Sequence, residues 1–459
     1  MSRKYFGTDG VRGVANRDLT PQLAFSLGQG AGRWLVQTGQ RRRVVIGRDT
    51  RKSGSMLGAA LAAGFCSVGV EVTTLGVAPT PAVATVARIG DYGMGAIISA
   101  SHNPAPDNGI KFVGHDGRKL PDEVEELIEG LFDADEPAPT GGEVGFIQAN
   151  PAELEIYFNI LIKIAGDGLK GMKLVVDCAH GAAYELAPRV LRHLGAEVEV
   201  IESEPDGLNI NRHCGATHPD TIQNATIEHD ADLGIAFDGD ADRVIFSDRK
   251  GRLINGDRTI GLWAVAEQAA GRLSPPIVVG TVMTNGGLEA FLTTQGIKLE
   301  RTPVGDKYVA KRINETSSRV GGEQSGHIIF PEHGPTGDGL ATMLEFLRIL
   351  KASGRTSEDL FDLYQPWPQV LVNMGVADRA TWDRPDAVQN ALRSAKELLG
   401  DHGRVNVRPS GTQPVVRVMV EASTSELRDE VCQMIVSAIE GESGGTVKSR
   451  VDLTHALGD

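Results

Sequence analysis

Apolar and polar positions fall into blocks along this chain, and three of the blocks repeat one layout. An apolar run is followed by a short polar loop, a helical stretch, a glycine and a second apolar run. The first block runs from Val44 to Gly76 (VVIGRDTRKSGSMLGAALAAGFCSVGVEVTTLG), the second from Leu174 to Glu202, the third from Ile277 to Gly305. From the last apolar residue of the leading run to the glycine, the steps are Ile46 to Gly69, Val176 to Gly195 and Val279 to Gly296. Each block predicts a strand–helix–strand unit, which normally builds a sheet with parallel strands and helices on both faces. Three copies predict three similar α/β domains.

The pattern changes after Tyr364–Pro368 (YQPWP). It predicts a strand near Val370–Val376, a helix near Pro385–Leu399, strands on both sides of Arg408 and a helix near Ser425–Glu440. That is the signature of a smaller α+β domain. Breaks at Ala134–Glu143 (ADEPAPTGGE), at a turn over Asp248–Gly256 and at Tyr364–Pro368 divide the chain into 1–150, 151–252, 253–366 and 367–459.

Composition narrows the class of partner. Across 459 residues the net charge is −14, which repels a phosphate backbone and argues against nucleic-acid binding. A small phosphorylated ligand stays compatible, because a few cations can converge on one cleft. No apolar run approaches the length of a membrane span, and the start MSRKYFGTDG lacks the apolar core of a signal peptide. The four cysteines (Cys66, Cys178, Cys214, Cys432) are scattered, as expected for reduced thiols in a cytoplasmic protein. The 56 glycines follow no Gly-X-Y period and point to tight loops beside a ligand.

Four segments can carry chemistry. Ser99–Pro104 (SASHNP) follows the apolar run Gly95–Ile98, so Ser101 is predicted at the carboxyl end of a strand, where open α/β sheets bind ligands. Ser101 can act as a nucleophile tuned by His102. Asp238–Arg243 (DGDADR) lies between apolar runs; alternate carboxylates of an extended loop point to one side, about 6–7 Å apart. Three such carboxylates repel one another unless a hard divalent cation neutralises them, and Mg²⁺ or Ca²⁺ fits oxygen ligands. An EF-hand is excluded, since Arg243 and Arg249 stand where its Gly and Glu belong. In Gly321–His327 (GGEQSGH), Glu323 and Ser325 can bond sugar hydroxyls and His327 can move protons. In Arg408–Pro414 (RPSGTQP), with Arg417 following, the guanidinium, Ser410, Thr412 and the amides around Gly411 can cradle a phosphate. The elements Phe6–Gly13 (FGTDGVRG) and Asp107–Phe112 (DNGIKF) each add one cation in a glycine-bearing turn, Arg12 and Lys111. Ser101 does not stand in a hydrolase elbow G-x-S-x-G, the P-loop sequence is absent, and Gly28–Arg33 (GQGAGR) is predicted helical rather than a dinucleotide fingerprint.

Taken together and in this order, these segments resemble the α-D-phosphohexomutase family over nearly the whole chain. The resemblance implies three similar mixed-sheet α/β domains plus a smaller C-terminal α+β domain of the TATA-box-binding-protein-like type, arranged in a heart shape. It implies that Ser101 is phosphorylated in the active enzyme and that Asp238, Asp240 and Asp242, joined by a phosphoryl oxygen on Ser101, ligate Mg²⁺. Arg243 then contacts the phosphoserine. Glu323 and Ser325 read the sugar hydroxyls. Arg408, Ser410, Gly411, Thr412 and Arg417 clamp the non-reacting phosphate, while Arg12, His102, Lys111 and His327 stand near the reacting oxygen. The opening segment and the GGEQSGH loop look most like the amino-sugar branch, which implies interconversion of glucosamine 6-phosphate and glucosamine 1-phosphate through a 1,6-bisphosphate that also serves as activator. The alternative is a glucose or mannose phosphate substrate within the same family. Members of the family are often dimers, so the resemblance allows a homodimer; the acidic charge and the lack of a long apolar run lead us to expect no nucleic-acid or membrane partner. One position departs from the family pattern: Gln413 stands where Glu is usual.

Overall fold

A computed structural model describes residues 3–7, 9–134, 137–378, 381–410, 415–455 and 457 of the 459. The strands form four sheets. In the first, the order is Val11–Val14, Asp107–Gly114, Met94–Ile98, Arg43–Arg48, Glu71–Val77, Ile147–Ala149. The second runs Leu253–Ile254, Val244–Ser247, Leu233–Phe237, Lys173–Asp177, Glu197–Ile201. The third runs Lys298–Thr302, Ile277–Thr281, Gly321–Gly322, Ile328–Ile329, and the fourth Gly403–Pro409, Val415–Ala422, Gln369–Gly375, Thr446–Asp452.

The first three sheets share one kernel. A central strand (Arg43–Arg48, Lys173–Asp177 or Ile277–Thr281) pairs in parallel with the strand that follows its helix and, on its other side, with a third parallel strand. That third strand then turns back into an antiparallel fourth. Parallel neighbours require a crossover and antiparallel ones a short turn, so the mixed sheet follows from two helix crossovers and one tight return in each unit. The fourth sheet is wholly antiparallel, and the helices Asp386–Leu399 and Ser425–Ser443 pack on it and on each other. Three mixed α/β domains and a smaller α+β one are therefore present, as the sequence pattern predicts.

Two local expectations change. Arg408 lies inside the strand Gly403–Pro409 and not between two strands. Val407 faces the core while Arg408 is exposed, so strand alternation carries the arginine without breaking the ladder. The stretch Asp248–Gly256, expected as a turn, contains the short strand Leu253–Ile254, which pairs with Val244–Ser247 and closes the second sheet. The string Gly28–Arg33 is helical, within Pro21–Gln37. Its glycines serve packing: a Cβ on Gly28 would stand 2.2 Å from the Leu61 carbonyl, and one on Gly64 2.2 Å from that of Phe25. The two helices thus touch backbone to backbone.

One continuous core joins the second and third sheets, with Phe246 stacked on Phe346 at 4.6 Å between ring centres. The first sheet is covered on both faces, and the fourth domain has its own core around Val372, Val418, Val431 and Ile435. The four cysteines are buried and free. Among the described residues no helix is long and apolar enough to cross a membrane.

Candidate active site

The three chemistry-bearing loops occupy one topological position. Residues 99–106 join the third and fourth kernel strands of the first sheet, 238–243 those of the second, and 323–327 those of the third. All three loops line one cleft of about 260 Å³, together with Asp9 and Arg12 from the start of the chain.

In the first loop Ser101 is 3% exposed and held in the left-handed region, φ 51°. Its hydroxyl donates to Asp238 Oδ2 at 2.6 Å, and His102 Nδ1 lies 3.4 Å from Ser101 Oγ. The Ser101 backbone is tied on both sides. Its N–H donates to Ser99 Oγ at 2.9 Å, and its carbonyl accepts from Arg51 Nη2 at 2.9 Å and from Asn211 Nδ2 at 2.9 Å.

The second loop is not extended. Ala241 N donates to the Asp238 carbonyl at 3.1 Å and Ala241 has φ 57°, so the chain turns sharply and converges the three carboxylates instead of spacing them by alternation. Asp238, Asp240 and Asp242 are buried, with ligand oxygens within 4.8 Å of one another. Burial, then the charges of Asp242 and Asp240, push the Asp238 carboxyl well above the usual carboxylate range. Burial and Asp240 also raise Asp242. For Asp240 burial works in the same direction, but the Lys111 ammonium at 3.2 Å and the Thr80 hydroxyl at 2.6 Å reverse it and hold the group below its ordinary value. Lys111 is buried yet raised above its usual range, because Asp240, Asp9 and Asp242 outweigh the cost of burial. Asp240 Oδ1 and Asp242 Oδ1 are buried without a hydrogen-bond partner. Buried carboxylate oxygens left unpaired are costly, and a hard divalent cation satisfies them. The donor set therefore fits a metal ion.

In the third loop Glu323 Oε1 accepts from Gly305 N at 2.9 Å, while Ser325 and His327 face the cleft. His327 sits against the second loop through a backbone bridge to Arg243, and its Nδ1 is buried without a partner. Gly337 leaves room for its ring, since a Cβ there would stand 2.2 Å from His327 Nε2. Arg12 pairs with Asp9, which also meets Lys111 at 3.2 Å and Lys119 at 3.3 Å. Burial would raise Asp9, but these three cations, Lys111 foremost, draw it below its usual range.

Of the residues expected on the fourth domain, Arg408, Ser410 and Arg417 do not line this cleft. Arg408 and Arg417 are direct cross-strand partners. Like charges in that register repel, and a shared anion removes the penalty. Arg417 Nε is buried without a partner, and Ser410 N donates to the Val415 carbonyl at 2.8 Å. Gly411 and Thr412, together with Gln413, lie outside the described residues.

Four further residues shape the site: Asp9, Thr80, Arg51 and Asn211. Asp9 sits inside the opening motif that drew attention to Arg12. Thr80 and Arg51 follow the strands Glu71–Val77 and Arg43–Arg48, at the same carboxyl ends that directed attention to Ser101. Asn211 has no local signal; it stands in an irregular loop at φ 57°.

Comparison with known proteins places this geometry. Profiles described as phosphoglucomutase/phosphomannomutase alpha/beta/alpha domain I, domain II and domain III match residues 3–138, 155–251 and 255–367, and the C-terminal domain of the same group matches 371–438. The chain is 48% identical over 435 residues to the phosphoglucosamine mutase of Desulforamulus reducens, covering 94% of this chain and 98% of that one. It is 48% identical over 439 residues to the phosphoglucosamine mutase of Pelotomaculum thermopropionicum, covering 95% and 98%. Among solved structures, a phosphoglucomutase/phosphomannomutase family protein from Burkholderia thailandensis superposes with a TM-score of 0.79 at 27% identity, over 97% of this chain and 99% of the other.

Proposed function

The chain belongs to the phosphoglucomutase/phosphomannomutase family, and on that premise we propose that it interconverts glucosamine 6-phosphate and glucosamine 1-phosphate in the cytoplasm, with Ser101 as the phosphoryl carrier. The observation that carries the reading is the placement of a buried Ser101 hydroxyl 2.6 Å from one of three converging carboxylates, two of which keep an unpaired oxygen. The identity to relatives named for the glucosamine substrate supports the amino-sugar branch over glucose or mannose phosphates.

Phosphorylated Ser101 gives its phosphoryl group to one sugar hydroxyl: the bond from phosphorus to Ser101 Oγ breaks and a bond to the sugar oxygen forms. The 1,6-bisphosphate turns over in the cleft, and its other phosphoryl group returns to Ser101. Such transfers rest on positioning and on charge neutralisation. Asp238, Asp240 and Asp242 would hold Mg²⁺, which when bound supplies positive charge beside the transferring group. Arg12 and Arg243 supply fixed cations along the cleft. Lys111 stays protonated between its carboxylates, so it serves as a cation and hydrogen-bond donor and not as a base. His327, with its unpaired Nδ1, is placed to take the sugar hydroxyl proton. Glu323 and Ser325 bond the sugar, and Arg408, Ser410 and Arg417, with Gly411 and Thr412, take the non-reacting phosphate.

Phosphorus NMR tests the reading. Purified protein with Mg²⁺ receives glucosamine 1-phosphate, glucose 1-phosphate or mannose 1-phosphate, each with a trace of its bisphosphate. Preferential conversion of the glucosamine ester, abolished by Ser101→Ala, is expected. Preference for another sugar overturns the branch, and substantial turnover by S101A overturns the carrier.

A further inference from the structure

Arg51 is buried, with 0% side-chain exposure, and every donor of its guanidinium is engaged. Nε donates to Asp49 Oδ2 at 2.8 Å. Nη1 reaches the carbonyls of Pro104 at 2.5 Å and Asp107 at 3.1 Å. Nη2 reaches those of Ser101 at 2.9 Å and Asn103 at 2.7 Å. Three carbonyls of the serine loop, and that of Asp107 where the next strand begins, thus turn inward onto one cation. From the second domain Asn211 Nδ2 donates to two of the same carbonyls, Ser101 at 2.9 Å and Asn103 at 3.3 Å.

The connections close on themselves. Ser101 N donates to Ser99 Oγ, Ser99 Oγ donates to Asp49 at 2.6 Å, Asp49 binds Arg51, and Arg51 returns to the Ser101 carbonyl. Both backbone groups of the serine are fixed to one ion pair. With its carbonyl held inward and φ at 51°, Ser101 presents its hydroxyl to Asp238. A left-handed φ is strained for a non-glycine residue and persists only where surrounding bonds over-determine it. The guanidinium is spent on carbonyls and on Asp49, so it is not a phosphate clamp.

We propose that Arg51 and Asn211 are positioning residues that hold Ser101 in one place through both phosphoryl transfers, a role that rests on the function proposed above. One oxygen must give a phosphoryl group and then receive another, and its charge changes each time beside three carboxylates. A loop bound less firmly would recoil from them when phosphorylated. Lysine cannot replace the arginine, because a single ammonium with three donors cannot span Asp49 and four carbonyls. Asn211 adds a tie from the domain that bears the carboxylates, so the serine and the metal-binding loop move as one.

Asn211→Gly is the decisive variant. Glycine adopts φ 57° without strain, so the loss of the amide is not compounded by backbone strain. Arg51→Lys is its companion. Wild type and variants are compared by steady-state kinetics, thermal unfolding and phosphorus NMR of the phosphoserine. N211G should remain folded with an unfolding midpoint only a few degrees lower, keep its KM within about twofold, lose about tenfold in kcat, and show a broadened phosphoserine resonance. R51K, where it folds, should lose on the order of a hundredfold in kcat, the scale of a misplacement near 1 Å. The proposal is overturned if folded N211G retains kcat within about twofold, or if KM rises in proportion to the loss; N211G decides the matter alone if R51K does not fold. A wild-type protein without mutase turnover overturns the functional reading and this role together, which is a different result from an active wild type with indifferent variants.

Discussion

Asp240 lies beside two other carboxylates, yet its own partners keep it charged. Lys111 and Thr80 both reach its Oδ2, which leaves Oδ1 free to face a cation. Groups that orient a metal ligand commonly change metal affinity by 10–100-fold when removed. Thr80→Val keeps the shape and removes only the donor. It should raise the Mg²⁺ concentration for half-maximal activity by about tenfold while leaving kcat at saturating Mg²⁺ nearly unchanged; an unaltered Mg²⁺ titration would refute the role. At this scale the sequence revealed residues whose chemistry is written beside them. Ser101 and the three aspartates stand in two short contiguous motifs, each beside apolar strands. Thr80, Arg51 and Asn211 were not legible, because each acts on a partner far along the chain: Thr80 on a residue 160 positions away, Arg51 on one 50 away and Asn211 on one 110 away. No local spacing encodes such a bond.

Elements were legible where they were long and periodic. The three strand–helix–strand units and the two helices of the last domain appear close to where hydrophobic periodicity puts them. The two-residue strands Gly321–Gly322 and Ile328–Ile329 carry no period of their own; they exist because the neighbouring strand Ile277–Thr281 offers an edge. Helix packing in the joint core also rests on one polar cluster that periodicity hides. Glu345, on the helix Gly339–Ser353, accepts from Trp263 Nε1 at 2.8 Å and from Arg348 Nε at 3.0 Å, and meets His333 Nε2 at 2.6 Å. Burial alone would raise its carboxyl, but His333, Trp263 and Arg348 draw it down to about 2. A carboxyl lowered in the folded state stabilises at pH above its unfolded value near 4.5, and the gain is lost as pH falls toward 2. The linkage is on the order of 3 kcal/mol. Glu345→Gln should therefore lower stability by about that much near neutral pH, as read from urea unfolding, and the gap to wild type should narrow at about pH 3. An equal gap at both pH values would mean that shape and not charge is at stake.

At the scale of the whole molecule, three kernels place their return loops on one cleft, while the two arginines expected to grip the far phosphate sit on a fourth body. How that body is attached therefore bears on binding more than on chemistry. Its strand residue Glu421 is fully buried, accepts from Gly286 N at 2.7 Å at the start of the helix Gly286–Thr294, and pairs with Arg404 Nε at 2.9 Å and Gln369 Nε2 at 3.1 Å. A carboxylate at a helix N-terminus is favoured by the helix dipole as well as by the hydrogen bond. Arg404 in turn donates to the carbonyls of Val282 and Thr284, and Asn285 exchanges bonds with Trp367 in the connecting segment. One buried carboxylate thus joins the third domain to the fourth from both sides. Glu421→Gln keeps the volume and removes the charge from the dipole and from Arg404. The fourth domain should then sample a wider range of positions, seen as a larger radius of gyration in solution scattering. The clamp would meet the substrate phosphate in fewer of those positions, so KM should rise about three- to tenfold, the equivalent of roughly 1 kcal/mol of binding, with a smaller change in kcat. If E421Q instead kept KM and its scattering profile unchanged, the third and fourth domains would be joined by something other than this carboxylate.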